Sequence, residues 1–194
     1  MTPALAKTAV ILLAVGWYII RFPYARRSRR TPVARSIRGP REFVLLLASS
    51  AGLGLVPLVY IAFGFPQFAD YPFQPTQAWL GVFVALASLA IFRLTHRALG
   101  RNWSISLDIR ERHVLVTEGI YRHVRHPMYT AFWLWAMAQA LLLPNWIAGF
   151  AGLVGFGILF FGRVAREEKL MLEIFGDEYR VYVSRTSRLI PGVY

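Results

Sequence analysis

Long stretches without charge are the feature that most constrains this fold. Residues 43–65, 71–92 and 128–161 contain no Asp, Glu, Lys or Arg, and residues 4–20 are interrupted only by Lys7. About 20 consecutive apolar residues are enough for a helix to cross a hydrocarbon core of about 30 Å. The pattern predicts an all-α, polytopic integral membrane protein.

The longest of these runs must contain two helices. A single helix over its 34 residues would be about 51 Å long, and Pro144-Asn145 is a turn signal near its middle. We therefore predict one domain, 1–194, with spans at about 4–20, 43–65, 76–92, 128–143 and 146–162. Small residues in the last span should allow close helix packing: they are Gly149, Gly152, Gly155 and Gly157.

The distribution of basic residues predicts the orientation. The chain has 22 Lys and Arg against 10 Asp and Glu. All of the basic residues except Lys7 lie in 21–41, in 93–125 or after residue 161. The positive-inside rule then places the N-terminus outside and the C-terminus, with any active site, in the cytoplasm. This asymmetry across the membrane explains the charge better than nucleic-acid binding, so no nucleic-acid partner is expected. The basic loop would lie near anionic membrane lipids.

Composition excludes several kinds of chemistry. The chain has no Cys, which rules out disulfides, thiolate catalysis and Cys-based zinc sites. His96 and His123 have no partners at metal-ligand spacing, so no metal is expected. Phosphate-binding loops and dinucleotide fingerprints do not occur.

The start of the fourth predicted span suits an anion. Pro127 fits the first turn of a helix, whose free N–H groups carry the positive end of the helix dipole. His126 and Tyr129 would flank this turn. A basic, aromatic flank of this kind is also common at membrane interfaces.

Charged residues follow the fifth predicted span. Arg163 and Glu167 are four residues apart, hence on one helical face, and they should lie at the depth of His126. An exposed ion pair would explain their charges but not this shared level. Together these residues form a longer pattern: Gly119-x-Tyr121-x-x-x-Arg125-His126-Pro127-x-Tyr129, Arg163-x-x-x-Glu167-Glu168, Phe175-Gly176-x-x-Tyr179-x-x-Tyr182 and Pro191.

The pattern resembles the membrane methyltransferases typified by isoprenylcysteine carboxyl methyltransferase, and the related phospholipid N-methyltransferases share much of it. The resemblance implies S-adenosylmethionine as methyl donor, with S-adenosylhomocysteine as its product, in a cytoplasmic pocket formed by about 102–191. By position in the family pattern, the donor contacts would be His113, Leu115, Val116, Tyr121, His126, Pro127, Tyr129 and Glu167. Arg163 resembles the residue that meets the substrate.

The physical chemistry is compatible with these roles. The donor's carboxylate suits the helix start at Pro127, its ammonium suits Glu167, and its adenine suits Leu115 and Val116 beside His113. A carboxylate acceptor would need only orientation by Arg163, whereas an amine would need a proton acceptor, for which Glu168 is available.

The resemblance implies a methyltransferase that methylates a carboxylate on an amphiphilic, isoprenylcysteine-like substrate entering from the bilayer, with Arg163, Glu167 and Glu168 as its catalytic residues. The alternative is a phospholipid or other lipid-amine N-methyltransferase. A non-enzymatic membrane scaffold is a less favoured hypothesis, and a transporter is disfavoured because no acidic or basic residue lies inside spans two to five.

Overall fold

The structure, a computed structural model, describes residues 1–28, 33–36, 39–100, 108–110 and 114–193. Its helices are α1 (Pro3–Ser28), α2 (Pro40–Ser50), α3 (Val56–Phe63), α4 (Pro75–Leu99), α5 (Pro127–Leu142) and α6 (Trp146–Arg185). A π-helical turn, Ala51–Leu55, joins α2 to α3, so that Pro40–Phe63 forms one continuous rod.

Each predicted span corresponds to a helix or rod in the structure. In the described part of the chain, α1, the α2–α3 rod, α4 and α6 are long and apolar enough to cross a membrane. Helix α5 has 16 residues, about 24 Å, and is shorter than the hydrocarbon core. Helices α1, α4 and α6 continue past the predicted spans, because basic residues such as Arg26 and Arg97 are good helix formers outside the apolar core.

The all-α prediction misses one short antiparallel pair. Strand β1 (Val33–Ser36) pairs with β2 (Asp108–Arg110), and the two strands come from the two basic segments that precede α2 and α5. Strands of four and three residues lack the run of alternating apolar residues by which a strand is recognised in sequence. Only the fold brings them together.

The predicted turn between the last two helices is confirmed. Asn145 is fully buried and caps α6, since its Oδ1 accepts hydrogen bonds from the backbone N–H groups of Ile147 and Ala148 at 3.0 and 2.7 Å. Its Nδ2 donates to the carbonyl of Pro66 at 2.6 Å and to Oδ1 of Asp70 at 2.7 Å. One side chain thereby ends the connection, starts α6 and fixes it to the segment before α4.

Glycines bring α6 against the α2–α3 rod, backbone to backbone. A Cβ on Gly155 would lie 2.4 Å from the Ala48 carbonyl oxygen, and a Cβ on Gly52 would lie 2.2 Å from the oxygen of Ala151. Close packing was predicted for four glycines of α6, and it holds for Gly149, Gly152 and Gly155. It does not hold for Gly157, whose Cβ would meet Trp133 at an ordinary 3.5 Å.

An aromatic core lies between α5 and α6. Phe156 and Phe160 of α6 are 1% exposed, and both contact the ring of Tyr129 at the start of α5, with centroids 6.0 and 5.4 Å away. Beyond this core, α6 is interrupted at Gly176, where φ is 53° and ψ is −124°. The last part of α6 packs Tyr179 and Tyr182 on Leu115.

Candidate active site

A cavity of about 830 Å³ opens where α5 begins and where α6 leaves its apolar segment. Most of the predicted site residues line it: Leu115, Val116, Tyr121, His126, Tyr129, Arg163 and Glu167. Pro127 is buried behind the wall as the first residue of α5. Glu168 is not among the residues of this wall, and His113 lies outside the described residues.

Three side chains of the wall are linked through one carboxylate. The Tyr129 hydroxyl donates to Oε2 of Glu167 at 2.5 Å, and Nε of Arg163 lies 3.9 Å from the same oxygen. The predicted alignment of Arg163 and Glu167 on one face is thus observed, at the level of the His126 turn. The Glu167 side chain is 29% exposed, which leaves it open to a ligand.

Arg163 has a second acidic neighbour that sequence reasoning missed. Oε1 of Glu42, in the first turn of α2, lies 3.2 Å from Nη1 of Arg163. Glu42 and Arg163 are only 4% and 8% exposed. The available signal was that Glu42 is the sole acidic residue before Asp70 and directly follows the Arg-rich segment. An acidic residue in the first turn of a helix is usually explained by its favourable interaction with the helix dipole. The contact of Glu42 with Arg163 could therefore not be recognised from the sequence.

Glu168 is held away from the cavity by three cationic or polar partners. Its carboxylate accepts hydrogen bonds from Arg125 Nε at 2.7 Å and Arg188 Nη2 at 2.6 Å, and His126 Nε2 lies 3.2 Å away. Burial acts to raise the pKa of Glu168, but the hydrogen bonds from these three side chains outweigh it and hold the pKa well below its usual range. A carboxylate of this kind is a weak proton acceptor.

The Glu168 cluster joins the chain's last segment to the start of α5. Backbone hydrogen bonds run alongside it, from Arg125 N–H to the Ser187 carbonyl at 2.9 Å and from His126 N–H to the Arg188 carbonyl at 3.1 Å. The His126 ring consequently stacks on Tyr129, with centroids 5.3 Å apart and planes 21° from parallel. Both rings are therefore fixed before any ligand arrives.

A tyrosine-rich layer closes the cavity on the side of the last part of α6. The Tyr182 hydroxyl donates to the Tyr121 carbonyl at 2.7 Å, and Tyr179 and Tyr182 pack on Leu115. Burial, followed by the negative charge of Glu167, raises the pKa of Tyr121 well above its ordinary value. Its hydroxyl therefore stays protonated, and this wall offers a flat apolar surface with an uncharged hydrogen-bond donor.

Comparison with known proteins shows which enzymes this chain is similar to. The model of the isoprenylcysteine carboxyl methyltransferase family matches residues 79–173. A probable protein-S-isoprenylcysteine O-methyltransferase of Oryza sativa subsp. indica is 24% identical over 191 residues, covering 97% of this chain and 95% of the relative. The protein-S-isoprenylcysteine O-methyltransferase B of Arabidopsis thaliana is 35% identical over 96 residues, 48% of this chain and 49% of the relative.

A human protein-S-isoprenylcysteine O-methyltransferase is 32% identical over 92 residues, which are 47% of this chain and 32% of that protein. Over about half of its length, the chain is similar to the isoprenylcysteine carboxyl methyltransferase family. The resemblance seen in the sequence is thereby confirmed, and the chain is a methyltransferase rather than a scaffold. The match to the family includes most of α4, all of α5 and the part of α6 that carries Arg163 and Glu167. Glu42 and Tyr182 lie outside it.

Proposed function

We propose that this protein is an integral membrane, S-adenosylmethionine-dependent methyltransferase that esterifies the carboxylate of an isoprenylcysteine-like substrate. One observation carries the proposal beyond the family resemblance. The cavity joins a charged part, where Arg163, Arg125 and Glu167 lie on the wall, to an apolar part with Phe43, Phe132 and Leu159. Such a cavity can take an acidic head and an apolar tail at the same time.

The wall residues fit a bound S-adenosylmethionine. Glu167 offers a half-buried carboxylate to its ammonium, the start of α5 at Pro127 offers positive dipole to its carboxylate, and Leu115 with Val116 offers apolar surface to its adenine. The donor, once bound, supplies a methyl group on a positively charged sulfonium. The volume of about 830 Å³ is at the upper end of the 300–1,000 Å³ typical of small-molecule sites, leaving room for an acceptor.

Arg163 is positioned to orient the acceptor's carboxylate. A guanidinium can hold a carboxylate through two parallel hydrogen bonds, and Glu42 and Glu167 fix where this guanidinium lies. Apolar neighbours exclude water, which strengthens a carboxylate as a nucleophile. The acceptor oxygen would bond to the methyl carbon as the donor's methyl–sulfur bond breaks and its electron pair stays on sulfur, leaving S-adenosylhomocysteine. Because a carboxylate oxygen carries no proton, no general base would be required.

Amine chemistry fits this site less well. An amine acceptor must lose a proton, and Glu168 is engaged with Arg125, Arg188 and His126 and is a weak base. A protonated amine would also be repelled by Arg163. These two points favour the carboxylate acceptor over the lipid-amine alternative.

The proposal includes a five-span topology with the site on the cytoplasmic side. The charged residues around the cavity follow α4, precede α5 and follow the apolar part of α6, as expected for one membrane face. A tag at the N-terminus should be protected from protease in sealed vesicles whose cytoplasmic face is outward, and a C-terminal tag should be cleaved. Cleavage of both tags would mean an even number of spans.

The reaction can be tested by the chemistry of the product. Purified protein is incubated with methyl-labelled S-adenosylmethionine and an N-acetyl-S-farnesylcysteine acceptor, and the product is treated with mild alkali. We expect base-labile label, because a methyl ester releases methanol. A parallel incubation contains a lipid extract in place of the prenylcysteine. Base-stable label in these lipids, with no label on the prenylcysteine, would instead support N-methylation.

A further inference from the structure

A second cavity, of about 410 Å³, adjoins the first within the membrane part of the molecule. Four residues lie on the walls of both: Ala14, Leu53, Gly54 and Trp135. Residues on the wall of the second cavity alone include Val10, Leu58 and Ile61. Among the described residues on this wall none carries a charge.

Three helices show that the two cavities are stacked end to end. Along the α2–α3 rod, the lining begins at Phe43 in the first cavity, passes Gly54 in both, and ends at Ile61 in the second. Helix α5 gives the same order from Tyr129 through Trp135 to Leu142.

Helix α1 runs the opposite way. It lines the second cavity within residues 10–18 and the first within residues 14–21, so its lining shifts in the reverse direction with an overlap. The lining of the rod covers 18 residue steps, about 27 Å, against a hydrocarbon core of about 30 Å.

Gly54 lies where the cavities meet, in the π-helical turn Ala51–Leu55. Two glycines of this turn differ completely in their surroundings. A Cβ on Gly52 would collide with α6, whereas a Cβ on Gly54 would meet nothing within 4 Å. Gly52 thus serves helix packing and Gly54 leaves the junction open. Single π-helical turns inside α-helices occur frequently at functional sites.

We propose that Gly54 determines which tail lengths the protein accepts, because the two cavities form one channel in which a long tail of the methyl acceptor must pass Gly54 to reach the second cavity. The inference rests on the proposed function, which puts the acceptor's carboxylate at Arg163. From Tyr129 to Trp135 the channel descends about 9 Å along α5, and from Tyr129 to Leu142 about 20 Å. A short tail ends near the junction, whereas a long tail must cross it.

The wall chemistry favours the end of a tail over a complete membrane lipid. A lipid seated in the second cavity alone would bring a polar head to a wall whose described residues carry no charge. An acceptor's tail has its charged end at Arg163, in the first cavity, and needs only apolar contact beyond Gly54. Trp135, Leu53 and Ala14 provide that contact at the junction.

The test compares acceptors within one variant. N-acetylcysteine carrying S-geranyl, S-farnesyl or S-geranylgeranyl tails is methylated by the wild type, by Gly54→Leu and by Gly54→Ala, and kcat/KM is measured for each. We expect Gly54→Leu to lower the ratio of geranylgeranyl to geranyl kcat/KM on the order of tenfold or more, because the added side chain overfills the junction. Gly54→Ala, the matched control, should leave the ratio within about twofold, because the added methyl meets open space.

A second variant covers the case in which Gly54→Leu does not fold, as judged by loss of donor binding. Leu58 is 58% exposed and lines only the second cavity, so Leu58→Trp should lower the same ratio while geranyl kcat/KM is retained. An unchanged ratio, or an equal loss for all three tails, in the variant that folds overturns the channel and leaves the second cavity to bulk lipid. If the wild type esterifies none of the acceptors, the proposed function fails first and the inference falls with it.

Discussion

Glu42 and Arg163 lie 121 residues apart in sequence, yet Oε1 of Glu42 is 3.2 Å from Nη1 of Arg163 in a buried contact between α2 and α6. The contact exists because Gly52 and Gly155 allow these helices to touch along their backbones. Arg163 therefore lies between Glu42 and Glu167, and these two carboxylates fix the position of its guanidinium.

Glu42→Gln should destabilise the protein by about 3 kcal/mol, because it leaves a buried guanidinium without one of its charged neighbours. Donor affinity should change little, since Glu42 is absent from the described cavity wall. Thermal unfolding in detergent measures the first effect and donor titration the second. Glu178→Gln, on the exposed part of α6, is the control; equal melting temperatures for both variants would contradict the structural role of the pair.

The two glycines of the π-helical turn should respond oppositely to alanine. Gly52→Ala should cost about 1–3 kcal/mol, since its Cβ would overlap the Ala151 carbonyl and force the helices apart. Gly54→Ala should be neutral or stabilising by about 0.5–1 kcal/mol, because alanine is the better helix former. Chemical or thermal unfolding of the two variants side by side provides the measurement. A loss of stability in both would mean that the turn itself requires glycine.

Residue patterns made the helices and much of the site predictable, because both depend on local signals. Charge-free runs, Pro127 at a helix start and the four-residue spacing of Arg163 and Glu167 are each visible within a short stretch of sequence. Glu42 and the pairing of β1 with β2 depend on contacts between segments far apart in the chain, and no local pattern indicates them.

Glu168 illustrates the remaining difficulty. It follows Glu167 directly, but one helical residue step of about 100° turns it from the cavity toward Arg125 and Arg188. The sequence pattern alone predicts a catalytic role for both Glu167 and Glu168. A catalytic role for Glu168 is still a prediction, although its partners favour a structural role for it.

Glu167→Gln should weaken donor binding by about 1.5–3 kcal/mol, because the donor's ammonium would lose a charge-assisted hydrogen bond. Titration of the purified protein with S-adenosylmethionine and with S-adenosylhomocysteine provides the measurement. Glu173→Gln is a matched change at an exposed position of the same helix and should leave binding unchanged. Equal affinities for both variants would remove Glu167 from the donor site.

Glu168→Gln should lower stability by about 1.5–3 kcal/mol at neutral pH, through loss of its hydrogen bonds to charged partners. The pKa of Glu168 is lowered in the folded protein. Its contribution is therefore present in full above the ordinary Glu pKa of about 4.3 and declines as the pH falls from there toward the lowered value. Unfolding of wild type and variant from neutral pH down to about pH 3 should show the stability difference shrinking only in the acid range. A stability difference between wild type and variant that shrinks as the pH rises would contradict a lowered pKa of Glu168 in the folded protein.

Arg163→Lys separates the two acceptor chemistries. If the acceptor is a carboxylate, the loss of the planar guanidinium should lower turnover strongly, on the order of a hundredfold for about 3 kcal/mol, because lysine is a poor substitute at a bidentate site. Donor affinity should change little, since Glu167 and the start of α5 are untouched. Arg166→Lys, an exposed change three residues along the same helix, is the control. Near-full activity of Arg163→Lys would favour the lipid-amine alternative, and a collapse of donor binding would place Arg163 in the donor site instead.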